Sequence, residues 1–188
     1  MSKSVQVGPI HLVDGVEKFN FWTFIYAAFI CIGMLAGMNF LQVYVITEHI
    51  QVPIAEQGAI TGELAFLTEV IAIFLIVPFG ILSDRIGRKP VVIFGILMLA
   101  IGYALFPFAN TIPELMVYRL IFSVGAAALS ALIVIVGNDY TQDVSRGRLF
   151  GFSGVANGLG VIFMSVIVAG LSLIHISEPT RRTPISYA

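Results

Sequence analysis

The sequence predicts an all-α membrane protein with five transmembrane helices and a cytoplasmic N-terminus. Of its 188 residues, 58% are hydrophobic and only 11% are charged, whereas soluble domains carry roughly a quarter charged residues. Five apolar segments each reach the length of about 20 residues that a helix needs to cross the hydrocarbon core. Barrel strands are excluded because polar residues do not recur at every second position in these segments.

Charged residues divide the chain into the five predicted spans. The first span has no charged residue, the apolar stretch between Glu63 and Asp84 is interrupted only by Glu69, and the fourth span only by Arg119. Each segment must satisfy its own backbone as a helix, because lipid offers no hydrogen-bond partners. We place the spans at about residues 19–47, 61–83, 90–112, 115–137 and 149–170.

The lysines and arginines outside the spans predict the orientation of the chain. Residues 1–18 form a polar segment of mixed charge, unlike a removable signal sequence. Seven basic residues fall in this segment or in the second-to-third and fourth-to-fifth loops, and the other loops have none. By the positive-inside rule, residues 1–18 are therefore a cytoplasmic N-terminal segment. The seven are Lys3, Lys18, Arg85, Arg88, Lys89, Arg146 and Arg148.

Residues 171–188 differ in character from the rest of the chain. Residues 171–181 resemble the translation of a transposon-end adapter used in DNA library preparation, and residues 185–188 resemble the start of the following adapter segment. The alternative is an ordinary polar loop after the fifth span. We expect residues 171–188 to be a non-native tail without function, with the natural gene cut short near Gly170.

The loop between the second and third spans has a distinctive sequence, GILSDRIGRKP at residues 80–90. Gly87 permits a sharp reversal of the chain, and Pro90 suits the first turn of the next helix, where its missing N–H costs nothing. On charge alone, this could be a basic loop that only sets the topology.

The same loop resembles the G-x-L-x-D-R-x-G-R-K loop of the major facilitator superfamily, with every specified position matched. The resemblance covers residues 19–170, and it implies the first five of twelve helices, an incomplete six-helix half. It also implies that Asp84 docks against the other half and that Arg88 pairs with an acid from the fourth-to-fifth loop. The residues that this resemblance assigns to a conformational latch are Gly80, Asp84, Arg85, Gly87, Arg88, Lys89, Asp139 and Arg146.

Two acids are candidates for the partner of Arg88. Residues 139–148 look like the family's D-x-T…R-G-R stretch, which makes Asp139 the first choice and Asp143 the second. We expect a partly buried cluster in which breaking one pair costs about a few kcal/mol. Rocking of the two transporter halves would open it.

Two charged residues inside the spans are candidates for proton coupling. Arg119 lies in a stretch similar to the family's fourth-helix motif for proton coupling, although Phe122 and Ser123 stand where Gln and Gly are usual. The alternative is an arginine that snorkels to the outer interface. Glu69 lies at a comparable depth, so it could pair with Arg119, carry a proton as a desolvated acid, or simply hydrogen-bond a neighbouring helix.

Neutral polar residues inside the spans are candidates for the substrate cavity. Asn39 and Gln42 share a face of span one, and Ser153 and Asn157 share a face of span five. The alternative role is polar contact between helices. Two glycine pairs, Gly33 with Gly37 and Gly154 with Gly158, predict close helix approach.

These observations predict a secondary active transporter that moves a small solute across the bacterial inner membrane by alternating access, coupled to protons and inactive as this fragment. The alternatives are a passive facilitator of the same family and a transporter-like sensor without flux. No catalytic constellation, metal-ligand cluster or cofactor motif is visible. The expected partners are the solute, protons, the lipid bilayer and the missing C-terminal half, with no nucleic acid.

Overall fold

The computed structural model describes residues 5–176, with side chains described up to residue 170. Within this part of the chain, five helices are long and apolar enough to cross a membrane. This confirms the predicted all-α membrane fold. The helices are α1 (Lys18–Tyr44), α2 (Ile54–Ile86), α3 (Arg88–Leu105), α4 (Ile112–Tyr140) and α5 (Arg146–Ile176).

The helix ends differ from the predicted spans where polar or cyclic residues lie at the boundary. Helix α2 begins at Ile54 instead of residue 61, because its first turns continue through polar residues that need not lie in lipid. Helix α3 ends at Leu105 instead of residue 112, and a 3-10 turn with Pro107 follows it. Proline cannot donate the backbone hydrogen bond that would continue the helix. Helix α1 ends in a π-helical turn, Val45–His49.

Helix α4 is the central element of the bundle. It packs against α2 and α3, whereas α1 packs along α5. Small residues allow this close packing: a Cβ atom at Gly125 would lie 2.5 Å from the backbone nitrogen of Leu99 and 2.6 Å from the carbonyl oxygen of Gly95. The backbones of α3 and α4 are therefore in direct contact, as small residues permit in membrane helices.

The predicted glycine pairs have different environments. Gly33 and Gly37 face α5, where added Cβ atoms would lie 3.0 Å from the Gly160 carbonyl oxygen and 2.7 Å from Met164, respectively. Gly154 and Gly158 make no close approach among the described residues, because a Cβ atom at either position would meet nothing within 4 Å there. In α5 the close approach is made by Gly160, which contacts the carbonyl oxygen of Phe29 in α1.

A short hairpin precedes the helices and was not predicted from the sequence. Its strands β1 (Gln6–Val7) and β2 (Ile10–His11) pair in antiparallel register. The residue after β2, Leu12, forms an isolated bridge with Thr141 beyond the end of α4. At the other end of the chain, residues 171–176 continue α5 as helix, and residues 177–188 of the predicted tail lie outside the described residues.

Candidate functional site

Arg88 holds together the ends of three helices in a group that we call the Arg88 cluster: Ser83, Asp84, Arg88 and Asp139. The Arg88 guanidinium donates through Nε to Asp139 Oδ2 at 3.0 Å and through Nη1 to Ser83 Oγ at 2.7 Å. Its Nη1 also pairs with Asp84. The cluster therefore links the end of α2, the start of α3 and the end of α4.

The turn between α2 and α3 sets this geometry. Gly87 is the only residue between the two helices, and its φ of 94° is one that residues with a Cβ atom adopt only with strain. The sharp turn leaves Asp84 and Arg88, four positions apart, close enough to pair. Asp139 comes from the last turn of α4, which packs against both helices.

The Arg88 cluster is more exposed than the sequence led us to expect. The side chains of Asp84 and Asp139 are 65% and 47% exposed, and that of Arg88 is 33% exposed. Exposed ion pairs contribute about 0.2–1 kcal/mol each, well below the few kcal/mol expected for a buried pair. Such contacts can open and close readily.

The other predicted latch residues lie outside this cluster. Arg146 pairs with Asp143 at 2.8 Å within one exposed turn, so Asp143, the second-choice partner of Arg88, is engaged elsewhere. Arg85 and Lys89 are exposed and form no ion pair with the side chains that the structure describes. At Gly80 a Cβ atom would make only an ordinary 3.7 Å contact.

A second site surrounds Arg119 in the middle of the bundle. A cavity of about 420 Å³ lies between α1, α2 and α4, and we call it the Arg119 cavity. Arg119 is only 4% exposed, so the alternative of a snorkelling arginine does not fit its position. The polar residues that line the cavity are Asn39, Thr68, Glu69, Arg119, Ser123 and Ser130.

Neutral groups satisfy the Arg119 guanidinium only in part. Its Nε donates to Thr68 Oγ1 and its Nη2 to Asn39 Oδ1, both at 2.9 Å. The ring of Phe122 lies 5.2 Å from the guanidinium carbon, which is within cation–π distance. The third nitrogen, Nη1, is buried and has no hydrogen-bond partner among the described residues.

The suggested pair between Glu69 and Arg119 does not form in this structure. Among the described side chains no ion pair joins the two, although both line the Arg119 cavity. The adjacent residue, Thr68, takes the position that the pairing hypothesis gave to Glu69. Arg119 therefore has a buried charge without a carboxylate beside it in the described part of the chain.

The predicted substrate-cavity residues divide into two groups. Asn39 lines the Arg119 cavity and accepts from Arg119. Gln42, Ser153 and Asn157 are not among its lining residues. Gln42 and Ser153 are buried between helices, and the side-chain oxygens of Gln42 and Asn157 have no hydrogen-bond partner in the described structure.

The sequence reasoning missed two hydroxyl groups that position the arginines. Thr68 Oγ1 accepts from Arg119 Nε and lies 3.0 Å from Ser123 Oγ. Ser83 Oγ donates to the Gly80 carbonyl oxygen and accepts from Arg88. A hydroxyl residue next to a charged residue, as in Thr68-Glu69 and Ser83-Asp84, is a sequence signal that could have indicated both.

Comparison with known proteins identifies the family. The family model of the Major Facilitator Superfamily matches residues 19–177. The chain is 26% identical to the magnetosome protein MamH of Paramagnetospirillum magneticum, over 74% of this chain and 34% of that protein.

Two further relatives are named for transport or resistance. The inner membrane transport protein YajR of Escherichia coli is 33% identical over 53% of this chain and 21% of its own length. The class H tetracycline resistance protein of Pasteurella multocida is 34% identical over 58% of this chain and 27% of its own length. The chain thus spans between a fifth and about a third of the length of these relatives. It is a multi-pass membrane protein that belongs to the major facilitator superfamily of transporters.

Proposed function

We propose that this chain is part of a secondary active transporter that moves a small solute across the inner membrane by alternating access, coupled to protons. The observation that carries the proposal is Arg119, a buried guanidinium with no carboxylate partner in the described structure, on the wall of a cavity that five other polar residues also line. The transport and resistance proteins among its relatives support the same class of activity.

The charge of Arg119 gives the cavity a preference for negative groups. A buried cation costs several kcal/mol in desolvation unless a counter-charge compensates it. Asn39 and Thr68 supply only neutral acceptors, and one guanidinium nitrogen remains unpaired. A carboxylate that enters the cavity would therefore be stabilised there.

Glu69 is the acid that we propose as the proton carrier. It lines the same cavity as Arg119 but is not paired with it. As a carboxylate it would be attracted to the uncompensated guanidinium, and protonation would remove that attraction. A change in the protonation of Glu69 would thus change the contacts of α2 with α4, which carries Arg119.

The Arg88 cluster is the proposed conformational latch. It joins three helix ends through one arginine, and its carboxylates are exposed enough to exchange partners. The second half of the transporter would compete for Asp84, the more exposed of the two acids. Because each contact is weak, rocking of the halves could open the cluster without a large barrier.

Two alternatives to a proton-coupled carrier have the same fold. A passive facilitator would transport solute without proton movement, and a transporter-like sensor would bind solute without transporting it. The chain spans at most about a third of these relatives, and a second half would supply the other wall of the binding site. We therefore expect no flux from these 188 residues alone.

Uptake into proteoliposomes by the completed protein separates a carrier from a sensor. A panel of labelled small solutes, beginning with tetracycline because one relative is a tetracycline resistance protein, would be offered under an imposed pH gradient. We expect accumulation of at least one solute above its external concentration. Binding of a solute without any accumulation would contradict the carrier and favour the sensor.

The same assay tests the latch through two acids four positions apart, Asp139 in the last turn of α4 and Asp143 in the following loop. Asp139→Asn removes the partner of Arg88, whereas Asp143→Asn, the matched control, removes only the exposed pair with Arg146. We expect Asp139→Asn, like Asp84→Asn and Arg88→Ala, to reduce transport severalfold at unchanged protein yield. Normal transport by Asp139→Asn, Asp84→Asn and Arg88→Ala would rule out the latch. Equal losses for Asp139→Asn and for the control Asp143→Asn would also rule it out.

A further inference from the structure

The N-terminal hairpin is attached to the loop that follows α4. Five hydrogen bonds join residues 11–13 to residues 140–145, more than 120 positions later in the sequence. We call this set of contacts the clasp. It connects a segment that precedes the first span with the loop between the fourth and fifth helices.

The clasp is made mainly by backbone groups. The backbone N–H of Val13 donates to the Tyr140 carbonyl oxygen at 3.1 Å, and that of Gln142 donates to the His11 carbonyl oxygen at 3.1 Å. The His11 N–H donates to Ser145 Oγ at 3.0 Å, and Ser145 Oγ donates to the His11 carbonyl oxygen at 3.1 Å. Gln142 Nε2 donates to the Leu12 carbonyl oxygen at 2.9 Å. Contacts on both sides of Thr141 thus fix the conformation of the loop.

Apolar side chains anchor the hairpin to the helices. Ile10 and Leu12 are almost fully buried, and they form one cluster with Phe21 and Phe24 of α1 and Leu149 of α5. The hairpin is therefore packed against the bundle on one side and hydrogen-bonded to the loop on the other. Ile133, Val136 and Tyr140 of α4 also pack against this cluster.

We propose that the hairpin is a positioning element for the Arg88 cluster and that it acts on the cluster through Asp139. The backbone N–H of Val13 donates to the carbonyl oxygen of Tyr140, which is the residue after Asp139. A docked hairpin therefore fixes the end of α4, and with it the position from which the Asp139 carboxylate accepts from Arg88. Docking of the hairpin and closure of the Asp139–Arg88 pair then favour each other. The functional meaning of this coupling rests on the latch proposed above.

Thermodynamic linkage makes the coupling testable from either side. If the hairpin favours the Asp139–Arg88 pair, the pair must favour the docked hairpin by the same factor. Among the described side chains, Arg88 makes no hydrogen bond or ion pair with the hairpin. Its bond to Asp139 at the end of α4 is therefore the direct route by which Arg88 affects the clasp. A hairpin that is only a structural cap would not respond to Arg88.

Residue-resolved amide exchange measured by NMR, on this chain in lipid nanodiscs, provides the readout. The Val13 and Gln142 amides report opening of the clasp. We expect Arg88→Ala and Asp139→Asn each to speed exchange at both amides by about threefold or more, since contacting groups typically couple by a measurable free energy. The control Asp143→Asn should leave both rates unchanged, and unchanged exchange in α2 shows that the fold is kept.

Unchanged exchange at Val13 and Gln142 in both Arg88→Ala and Asp139→Asn would overturn the proposal. The reverse direction uses the transport assay on the completed protein. Leu12→Asp, at a fully buried position, should reduce transport as Asp139→Asn does, whereas Gln6→Asp, at an exposed position of β1 outside the clasp, should not. Faster exchange with normal transport in Arg88→Ala would instead refute the latch and leave the coupling between hairpin and cluster standing.

Discussion

Among single side chains, Arg119 has the most unusual environment. Its guanidinium is buried inside a membrane-spanning helix, yet its hydrogen-bond acceptors are an amide oxygen and a hydroxyl oxygen. Phe122, which stands where the resembled motif has Gln, offers its ring face to the charge in place of a polar group. The arginine is therefore held in position without being neutralised.

The stability of the protein should not depend on this charge. Arg119→Met replaces a poorly compensated buried cation by an apolar side chain of similar length. We expect the free energy of unfolding to stay the same or rise by about 1–4 kcal/mol, as for other buried charges replaced by apolar residues. Equilibrium unfolding in mixed micelles would measure the change.

A matched control for this variant is Arg85→Met, at an exposed position without an ion pair among the described side chains. Its effect should stay within about 0.5 kcal/mol. Destabilisation by Arg119→Met of more than about 2 kcal/mol would mean that the arginine is required for folding, which would remove the main argument for its functional role.

The charged residues of both sites could be identified from the sequence, but only some of their hydrogen-bond and ion-pair partners could be. An intramembrane Arg119 and Glu69 are visible in an apolar sequence, and the resemblance of the loop made Asp139 the first choice for Arg88. Thr68 and Glu69 differ by one position, which is a rotation of about 100° around α2. Sequence alone does not fix the rotation of a helix that is apolar on nearly all sides, so it cannot decide which of the two faces Arg119.

Among the helices, α4 packs against both α2 and α3, and its Gly125 lets the backbone of α3 come close. The existence of all five helices could be predicted from apolar length, since lipid leaves the backbone no alternative. The close-packed glycines could not be predicted as well. The pair Gly154 and Gly158 has the expected spacing but faces open space, whereas Gly125 and Gly160 make the backbone contacts.

Gly125 gives a direct test of the α3–α4 contact. In Gly125→Ala the new Cβ atom would lie 2.5 Å from a backbone nitrogen and 2.6 Å from a backbone oxygen of α3, so the helices must separate. We expect a loss of about 1–3 kcal/mol in the free energy of unfolding. Thermal unfolding in detergent, compared with the wild-type chain, would measure it.

The same substitution at Gly154 is the control. It also lies inside a helix but meets nothing within 4 Å. Gly154→Ala should be neutral or should stabilise the chain by up to about 1 kcal/mol, because alanine has the higher helix propensity. If the two variants have equal stability, α3 and α4 do not pack as closely as described.

For the chain as a whole, both the Arg88 cluster and the Arg119 cavity include residues of α4. Arg119 is on α4, the clasp is bonded to the loop beyond its end, and Asp139 comes from its last turn. The hairpin could not be predicted, because its strands have two residues each and its contacts join residues more than 120 positions apart. Its two buried residues, Ile10 and Leu12, alternate as expected for a strand, but two positions are too few to indicate one.

The most direct test of the proposed proton coupling measures the proton movement that accompanies solute uptake. Proteoliposomes loaded with a pH-sensitive dye would compare the completed wild-type protein with Glu69→Gln and with Glu63→Gln. Glu63 is an acid of α2 that is exposed, as Glu69 is, but does not line the Arg119 cavity. We expect coupled proton movement for the wild type and Glu63→Gln, and solute binding without proton movement for Glu69→Gln. An unchanged ratio of protons to solute in Glu69→Gln would show that Glu69 is not the proton carrier.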